Sequence, residues 1–153
     1  MRRVLALPAL LLLAPATGQA ACTVSASGVV FGVYSPTSGG ATDITGTVTL
    51  TCTAGSDTAT TYSFAAGAGG GGSFAARRMS GGAGNLPYQL YIDAAHTQVW
   101  GDGTAGTSVI PSSPDTIVTK GGSASYTVYG RIAADAAISP GGYSDSIVVT
   151  AGY

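Results

Sequence analysis

A strict alternation of residue types over residues 44–53, ITGTVTLTCT, constrains the fold of this chain more than any other feature. Threonine occupies every position on one side of this segment, and the other side carries Ile44, Gly46, Val48, Leu50 and Cys52. A period of two over ten residues predicts a half-buried β-strand. We therefore expect Cys52 to point into a core, with the threonines on an outer face.

Shorter segments of the same kind follow along the chain, separated by glycine-rich and proline-containing turns. They predict strands at residues 29–34, 61–65, 86–93, 116–119, 125–132 and 143–153. No helical period is visible after the first twenty residues. About seven short strands joined by turns indicate an all-β fold, an antiparallel β-sandwich.

The first twenty residues have the parts of a secretory signal peptide. Arg2 and Arg3 precede an apolar run over residues 4–14, and small residues at Gly18 and Ala20 fit a cleavage site. The run is too short for a transmembrane helix, and no later segment approaches that length. We predict a signal peptide at 1–20, one exported domain at 21–153, and no membrane span.

Two cysteines remain after cleavage, and Cys22 has only Cys52 as a partner. Lipid attachment to Cys22 is the alternative, but Gln19 stands where such sites carry an aliphatic residue. An exported chain meets an oxidising compartment. We therefore predict a disulfide between Cys22 and Cys52, and no lipid.

Charge and residue content exclude several classes of function. Without the leader, four basic residues stand against seven aspartates, and glutamate is absent. Such a chain is a poor candidate for binding nucleic acid or anionic membranes. His96 is the only histidine, with no G-x-S-x-G motif, so we expect a surface-loop residue and not a catalytic triad. No catalytic, metal or cofactor site is predicted, and Asp102-Gly103 is interpreted as a turn rather than a calcium ligand.

Two further features have open interpretations. Trp100 and the loop 101–106 could form a carbohydrate-binding surface, although packing in the core is the favoured interpretation of Trp100. The glycine tract at 67–72 lacks the Lys and Ser/Thr of a phosphate-binding loop. It is expected to be a mobile loop tip.

An ordered set of short motifs over residues 21–153 resembles the spore coat protein U domain family, whose members include subunits of archaic chaperone–usher pili. The motifs are Cys22, Phe31-Gly32-Val33-Tyr34, Cys52, Arg78-Met79, Leu86, Tyr88-Gln89-Leu90-Tyr91, Asp93, Trp100-Gly101-Asp102-Gly103, Tyr129-Gly130-Arg131 and Gly142-Tyr143-Ser144-Asp145.

The resemblance implies an immunoglobulin-like β-sandwich that lacks its final strand and so leaves a hydrophobic groove. It implies a fimbrial subunit in cell adhesion, exported to the periplasm and then placed at the cell surface. Its partners would be a periplasmic chaperone, an outer-membrane usher and neighbouring pilus subunits, which supply the missing strand by donor-strand complementation.

The last predicted strand, residues 143–153, is low in charge and contains no proline. An open edge of this type invites pairing with a strand from another chain. The alternation points to Ile147, Val149 and Tyr153 as the positions that contact a partner strand or line the groove.

Usual shaft subunits of the resembled family carry an alternating donor segment ahead of the first cysteine. Cleavage after Ala20 leaves only Ala21 before Cys22, whereas a strand is typically 5–6 residues long. The sequence thus predicts a subunit that accepts a strand but gives none, at a tip or terminal position. A secreted carbohydrate- or surface-binding module is the alternative.

Overall fold

The computed structural model describes residues 22–37, 39–52, 60–81, 84–111, 117–118, 122–134, 136 and 138–152. The predicted leader and Tyr153 lie outside this part of the chain. Eleven strands are found within it: β1 (Cys22–Ala26), β2 (Thr42–Cys52), β3 (Thr60–Thr61), β4 (Ser63–Ala66), β5 (Arg78–Gly81), β6 (Gly84–Pro87), β7 (Gln89–Tyr91), β8 (Ile117–Val118), β9 (Ser123–Ile132), β10 (Tyr143–Ser144) and β11 (Val149–Gly152).

All pairings between these strands are antiparallel. One layer is a four-stranded sheet in the order β1-β2-β9-β7. The other strands form a sheet β10-β5-β6 and the pairs β11-β4 and β3-β8. Buried residues of both layers, such as Val48 and Ile132 in one and Phe64 and Met79 in the other, belong to one hydrophobic core. The predicted all-β, immunoglobulin-like sandwich is confirmed.

The helical elements in the described part of the chain are two short 3-10 turns, Gly69–Gly71 and Phe74–Ala76. Neither approaches the length or apolarity that a membrane-crossing helix requires.

Strand β2 has the alternation that its sequence predicts. Val48, Leu50 and Cys52 are at most 5% exposed, and the threonines between them face outward or are half-buried. One edge of β2 pairs with β1, and the other pairs with β9 over ten residues, from Thr42 opposite Ile132 to Thr51 opposite Ser123. The long β2–β9 ladder therefore forms the centre of the four-stranded sheet.

The predicted disulfide between Cys22 and Cys52 is confirmed, with a sulfur–sulfur distance of 2.07 Å. The two residues are direct partners in the β1–β2 ladder. The bond therefore fixes the start of β1 to the end of β2.

Four predicted strands are wrong in their continuity. Residues 61–65 split at Tyr62 into β3 and β4, which pair with β8 and β11 respectively. Residues 29–34 form no strand. Their exposure alternates only over residues 29–32, and Gly32 has a φ of 69° that interrupts an extended ladder. Residues 86–93 split at Tyr88, where the chain passes from β6 in one sheet to β7 in the other. Residues 143–153 split into β10 and β11, which pair with different strands.

Candidate functional site

A long apolar groove of about 900 Å³ opens between the first and last segments of the described chain. Its floor is built from core residues that are at most 4% exposed, namely Val48, Leu90, Trp100, Val128 and Ile132. We call residues 28–34 the N-terminal wall and residues 143–149 the C-terminal wall. The groove thus has an apolar floor, and both walls add apolar side chains to it, such as Phe31 and Ile147.

The N-terminal wall has no backbone partner among the described residues. The last link to β2 is at Ser27, whose N–H donates to Thr47 O at 2.8 Å while its Oγ accepts from Thr47 N at 2.7 Å. From residue 28 to residue 34 the described residues supply no backbone hydrogen bond. Val30 and Val33 in this wall are 72% and 97% exposed. This segment therefore has the properties of an unpaired sheet edge with exposed apolar side chains.

Two glycines at inward positions of the sheet, Gly46 and Gly130, leave room for the N-terminal wall to pack closely against it. A Cβ at Gly130 would lie 2.5 Å from Val29 Cγ1 and 2.9 Å from Phe31 Cζ, and one at Gly46 would lie 2.9 Å from Val29 Cγ2. Phe31 also meets the ring of Tyr88 edge-on, with centroids 6.1 Å apart. Any side chain at these glycines would push the wall away from the floor.

Tyr34 fixes the far end of the N-terminal wall. Its hydroxyl donates to Ala133 O at 3.2 Å and accepts from Ala136 N at 2.9 Å. The wall is therefore attached at both ends, by the β1–β2 ladder and by Tyr34, while the backbone between them has no partner in the described chain.

The C-terminal wall is paired on one side. β10 pairs with β5, Gly67 N donates to Val148 O at 2.9 Å, and β11 pairs with β4. The structure places Ile147 and Val149 half-buried on the groove side, whereas Val148 is 71% exposed. Tyr153, the third predicted contact, lies outside the described residues.

Asp145 holds the break between β10 and β11 in place. Its Oδ2 accepts from the Tyr88 hydroxyl at 2.7 Å, and its Oδ1 accepts from the N–H groups of Gly70 and Ser146, both at 2.8 Å. Burial opposes ionisation of this carboxyl, but these hydrogen bonds outweigh it and lower the pKa of Asp145. Burial, together with the bond to Asp145, raises the pKa of Tyr88.

We expect Asp145→Ala to lower the free energy of unfolding by about 2 kcal/mol at pH 7, because a charged acceptor is lost and the Tyr88 hydroxyl is left without it. A carboxyl with a lowered pKa stabilises the fold above its ordinary pKa, and this stabilisation is lost as pH falls through the lowered value. Urea unfolding from pH 7 to pH 2 checks both points. The difference between wild type and variant should shrink below about pH 4; a constant difference would contradict this role of the charge.

The glycine tract that was expected to be a mobile loop tip is instead held by Asp145. Gly69–Gly71 forms a 3-10 turn, and Gly69 has a φ of 69°. A Cβ at Gly69 would collide with the Asp145 carboxylate. Glycine here allows the C-terminal wall to approach the backbone closely.

Trp100 is a core residue and not a sugar-binding platform. It is 3% exposed, and its Nε1 donates to Phe64 O at 3.0 Å. The favoured packing interpretation is therefore correct. In the adjoining loop, Asp102 Oδ1 accepts from Thr104 N and Thr104 Oγ1, as expected of a turn.

His96 is more enclosed than a surface-loop residue. Its ring meets Tyr91 and Tyr129 edge-on at 5.0 and 6.1 Å, and its Nε2 lies 3.8 Å from Asp43 Oδ1. Only 11% of its side chain is exposed. Within the described residues, no three His, Cys, Asp or Glu side chains are grouped as a metal site.

Sequence reasoning missed the residues that shape the groove. Gly46 and Gly130 stand at inward positions of β2 and β9, where neighbouring inward residues are large. A glycine at such a position indicates that another segment packs closely there. The sequence therefore contained a signal for Gly46 and Gly130. It contained no such signal for the contact between Asp145 and the glycine tract, because that contact joins segments about 75 residues apart.

Comparison with known proteins places these features in context. The sequence model of the family described as Spore Coat Protein U domain matches residues 8–150. No curated protein sequence matches the chain. A solved structure with a similar fold is the crystal structure of the CsuC–CsuE chaperone–tip adhesion subunit pre-assembly complex from archaic chaperone–usher Csu pili of Acinetobacter baumannii. The TM-score is 0.59 at 18% identity, over 88% of this chain and 40% of that one.

Proposed function

The chain belongs to the Spore Coat Protein U domain family, and we propose that it is a structural, non-enzymatic subunit of a chaperone–usher surface fibre whose groove receives a β-strand from a partner. The observation that carries this proposal is the groove itself. An apolar floor lies between two walls. Among the described residues, one wall has no backbone partner and the other is paired on one side only. In this interpretation the sandwich lacks its final strand.

A β-strand bound in the groove would form backbone hydrogen bonds with the N-terminal wall and side-chain contacts with the C-terminal wall. Its N–H and C=O groups would pair with the N-terminal wall, and alternate side chains would enter the groove over Val128 and Ile132. Ile147 and Val149 would contact those side chains from the C-terminal wall, and we extend this role to Tyr153. Exposed Val30 and Val33 would be covered at the same time, which removes an aggregation hazard.

The partners we propose are a periplasmic chaperone before assembly and a neighbouring subunit after it, with an outer-membrane usher between these stages. The similar solved structure is itself titled as a chaperone–subunit pre-assembly complex, which supports this choice. The protein would pass through the periplasm and function at the cell surface.

We further propose that the subunit accepts a strand without giving one, as a tip or terminal subunit does. The disulfide fixes Cys22 at the beginning of β1, and cleavage after Ala20 would leave Ala21 alone ahead of it. Mass spectrometry of the exported protein should find an N-terminus at Ala21. An N-terminus at least five residues earlier, with an alternating segment, would contradict this position.

The test of partner binding uses a matched pair of charge substitutions. Ile147→Asp places a carboxylate in the apolar groove, whereas Thr150→Asp places it on the exposed side of β11. Co-expressed with its chaperone, wild type and Thr150→Asp should be recovered as a complex. Ile147→Asp should reduce that recovery at least about tenfold.

Thiol labelling shows whether each variant has folded far enough to form the Cys22–Cys52 bond. Equal recovery of both variants, or a stable wild-type monomer whose yield the chaperone does not change, would contradict the proposal.

A further inference from the structure

A second cleft lies on the outer surface, where the chain passes from β6 to β7 between the two sheets. Its volume is about 490 Å³. Its polar lining consists of Arg77, Arg78, Asn85, Gln89, Tyr91 and Arg131. We call it the arginine cleft. Among the described residues, the cleft shares Tyr88 with the lining of the groove and otherwise has its own lining, so a ligand could bind there whether or not the groove accepts a strand.

The described arginines all lie around this cleft. Arg77, Arg78 and Arg131 are the arginines of the described chain, and all three line it. No described aspartate is among its lining residues. Because charged residues make up only 8% of this sequence, three arginines around one cavity are a marked local concentration of cationic side chains, one of which is paired with Asp43.

Arg77 is the buried member of the three. It is 1% exposed, with NH1 donating to Gln89 Oε1 at 2.8 Å and NH2 to Gly67 O at 2.7 Å. Its Nε is buried and has no hydrogen-bond partner among the described residues. Burial lowers the pKa of Arg77, and nearby Tyr88 and Asp145 oppose that shift. An arginine nevertheless stays protonated, so a permanent cation with an unused donor lies in the cleft wall.

The other two arginines differ in whether a carboxylate pairs with them. Arg131 donates from Nε and NH2 to the two oxygens of Asp43, at 2.6 and 2.7 Å, which fixes the plane of its guanidinium. Arg78 is exposed on β5, opposite Pro87. Within the described part of the chain, no carboxylate forms an ion pair with Arg78. Arg78 is therefore the group best placed to receive an anion from solvent.

We propose that the arginine cleft binds a small organic anion of the size of an acidic monosaccharide. Its carboxylate would accept hydrogen bonds from the guanidinium of Arg78, and the buried positive charge of Arg77 would add electrostatic attraction. The cleft has the volume of a small-ligand pocket and is larger than a bare ion requires. The ring of Tyr91 and the amide of Asn85 offer an apolar face and hydrogen bonds of the kind that sugar rings use.

Isothermal titration of the full exported chain tests this site with sodium glucuronate, and glucose is the uncharged control of the same size. Glucuronate should bind and glucose should not. Arg78→Gln should weaken glucuronate binding about tenfold or more, because a charge-assisted contact is lost. Thr150→Asp changes the net charge by the same amount at an exposed position outside the cleft lining and should leave the affinity within about twofold.

Sodium sulfate distinguishes a saccharide site from a site for any anion. Weaker binding of sulfate than of glucuronate supports the proposal. Equal binding of both would overturn the saccharide assignment, and so would glucuronate binding that Arg78→Gln leaves unchanged or that is not detected at all. Circular dichroism of Arg78→Gln should match that of wild type, since this side chain is exposed.

Discussion

Replacing Cys22 and Cys52 together with alanine should lower the free energy of unfolding by roughly 3–4 kcal/mol, the value that loop-closure entropy gives for a bond across a sequence separation of 30. The structural reason is that β1 is an edge strand of five residues whose ladder partner is β2. Without the bond, the beginning of β1 is held by its ladder with β2 and by the packing of Val24 on the core. The N-terminal wall of the groove follows directly from β1, so it loses part of its support.

Urea unfolding of the double variant, compared with wild type, measures this loss. Wild type unfolded in the presence of a reductant is the matched control, because it lacks the bond but keeps both sulfur atoms. The two values should agree to within about 1 kcal/mol. A loss below about 1 kcal/mol in both experiments would show that β1 does not need the disulfide.

Gly130→Val should destabilise the fold by about 1–3 kcal/mol and also abolish strand binding. Even the first added carbon would lie 2.5 Å from Val29 Cγ1 and 2.9 Å from Phe31 Cζ. Gly130 lies within β9, between Ile44 of β2 and Leu90 of β7, so its backbone cannot easily move. The N-terminal wall must therefore move away from the floor, and the groove loses its shape.

Gly84→Val is the matched control, because a Cβ at Gly84 meets nothing within 4 Å. A second control relieves the steric collision. Gly130→Ala combined with Val29→Ala should lower the free energy of unfolding by less than the sum of the two single variants' losses. Chemical denaturation and recovery of the chaperone complex provide the two measurements. Equal effects of Gly130→Val and Gly84→Val would show that close packing of the wall on Gly130 is unimportant.

The sequence predicted the parts of this fold that depend on local pattern. The alternation of residues 44–53 predicted β2 and the inward position of Cys52, and both follow from the period of two. The disulfide followed because an exported chain with two cysteines has one possible pairing. These features need no knowledge of which strands lie side by side.

The features that depend on tertiary contacts were not predictable in the same way. Residues 29–34 have the β-branched and aromatic composition of a strand but have no strand beside them in the described chain, and such a composition does not report pairing. Residues 143–153 alternate except at Asp145 and Val148. Asp145 binds Gly70 and Tyr88 at the break between β10 and β11, which have different sheet partners. The glycine tract is held by contacts from other segments, since Gly70 binds Asp145 and Gly67 binds Val148 and Arg77.

Strand acceptance requires that the backbone of residues 28–34 be available to pair with a strand from another chain. Hydrogen exchange of these amides measures that availability, with and without a synthetic eleven-residue peptide that alternates valine with threonine or lysine. A peptide with proline at alternate positions, which cannot complete a ladder, is the control. We predict exchange slowed at least about tenfold by the alternating peptide and unchanged by the proline peptide. Unchanged exchange at residues 28–34 with the alternating peptide in excess would contradict strand acceptance by this groove.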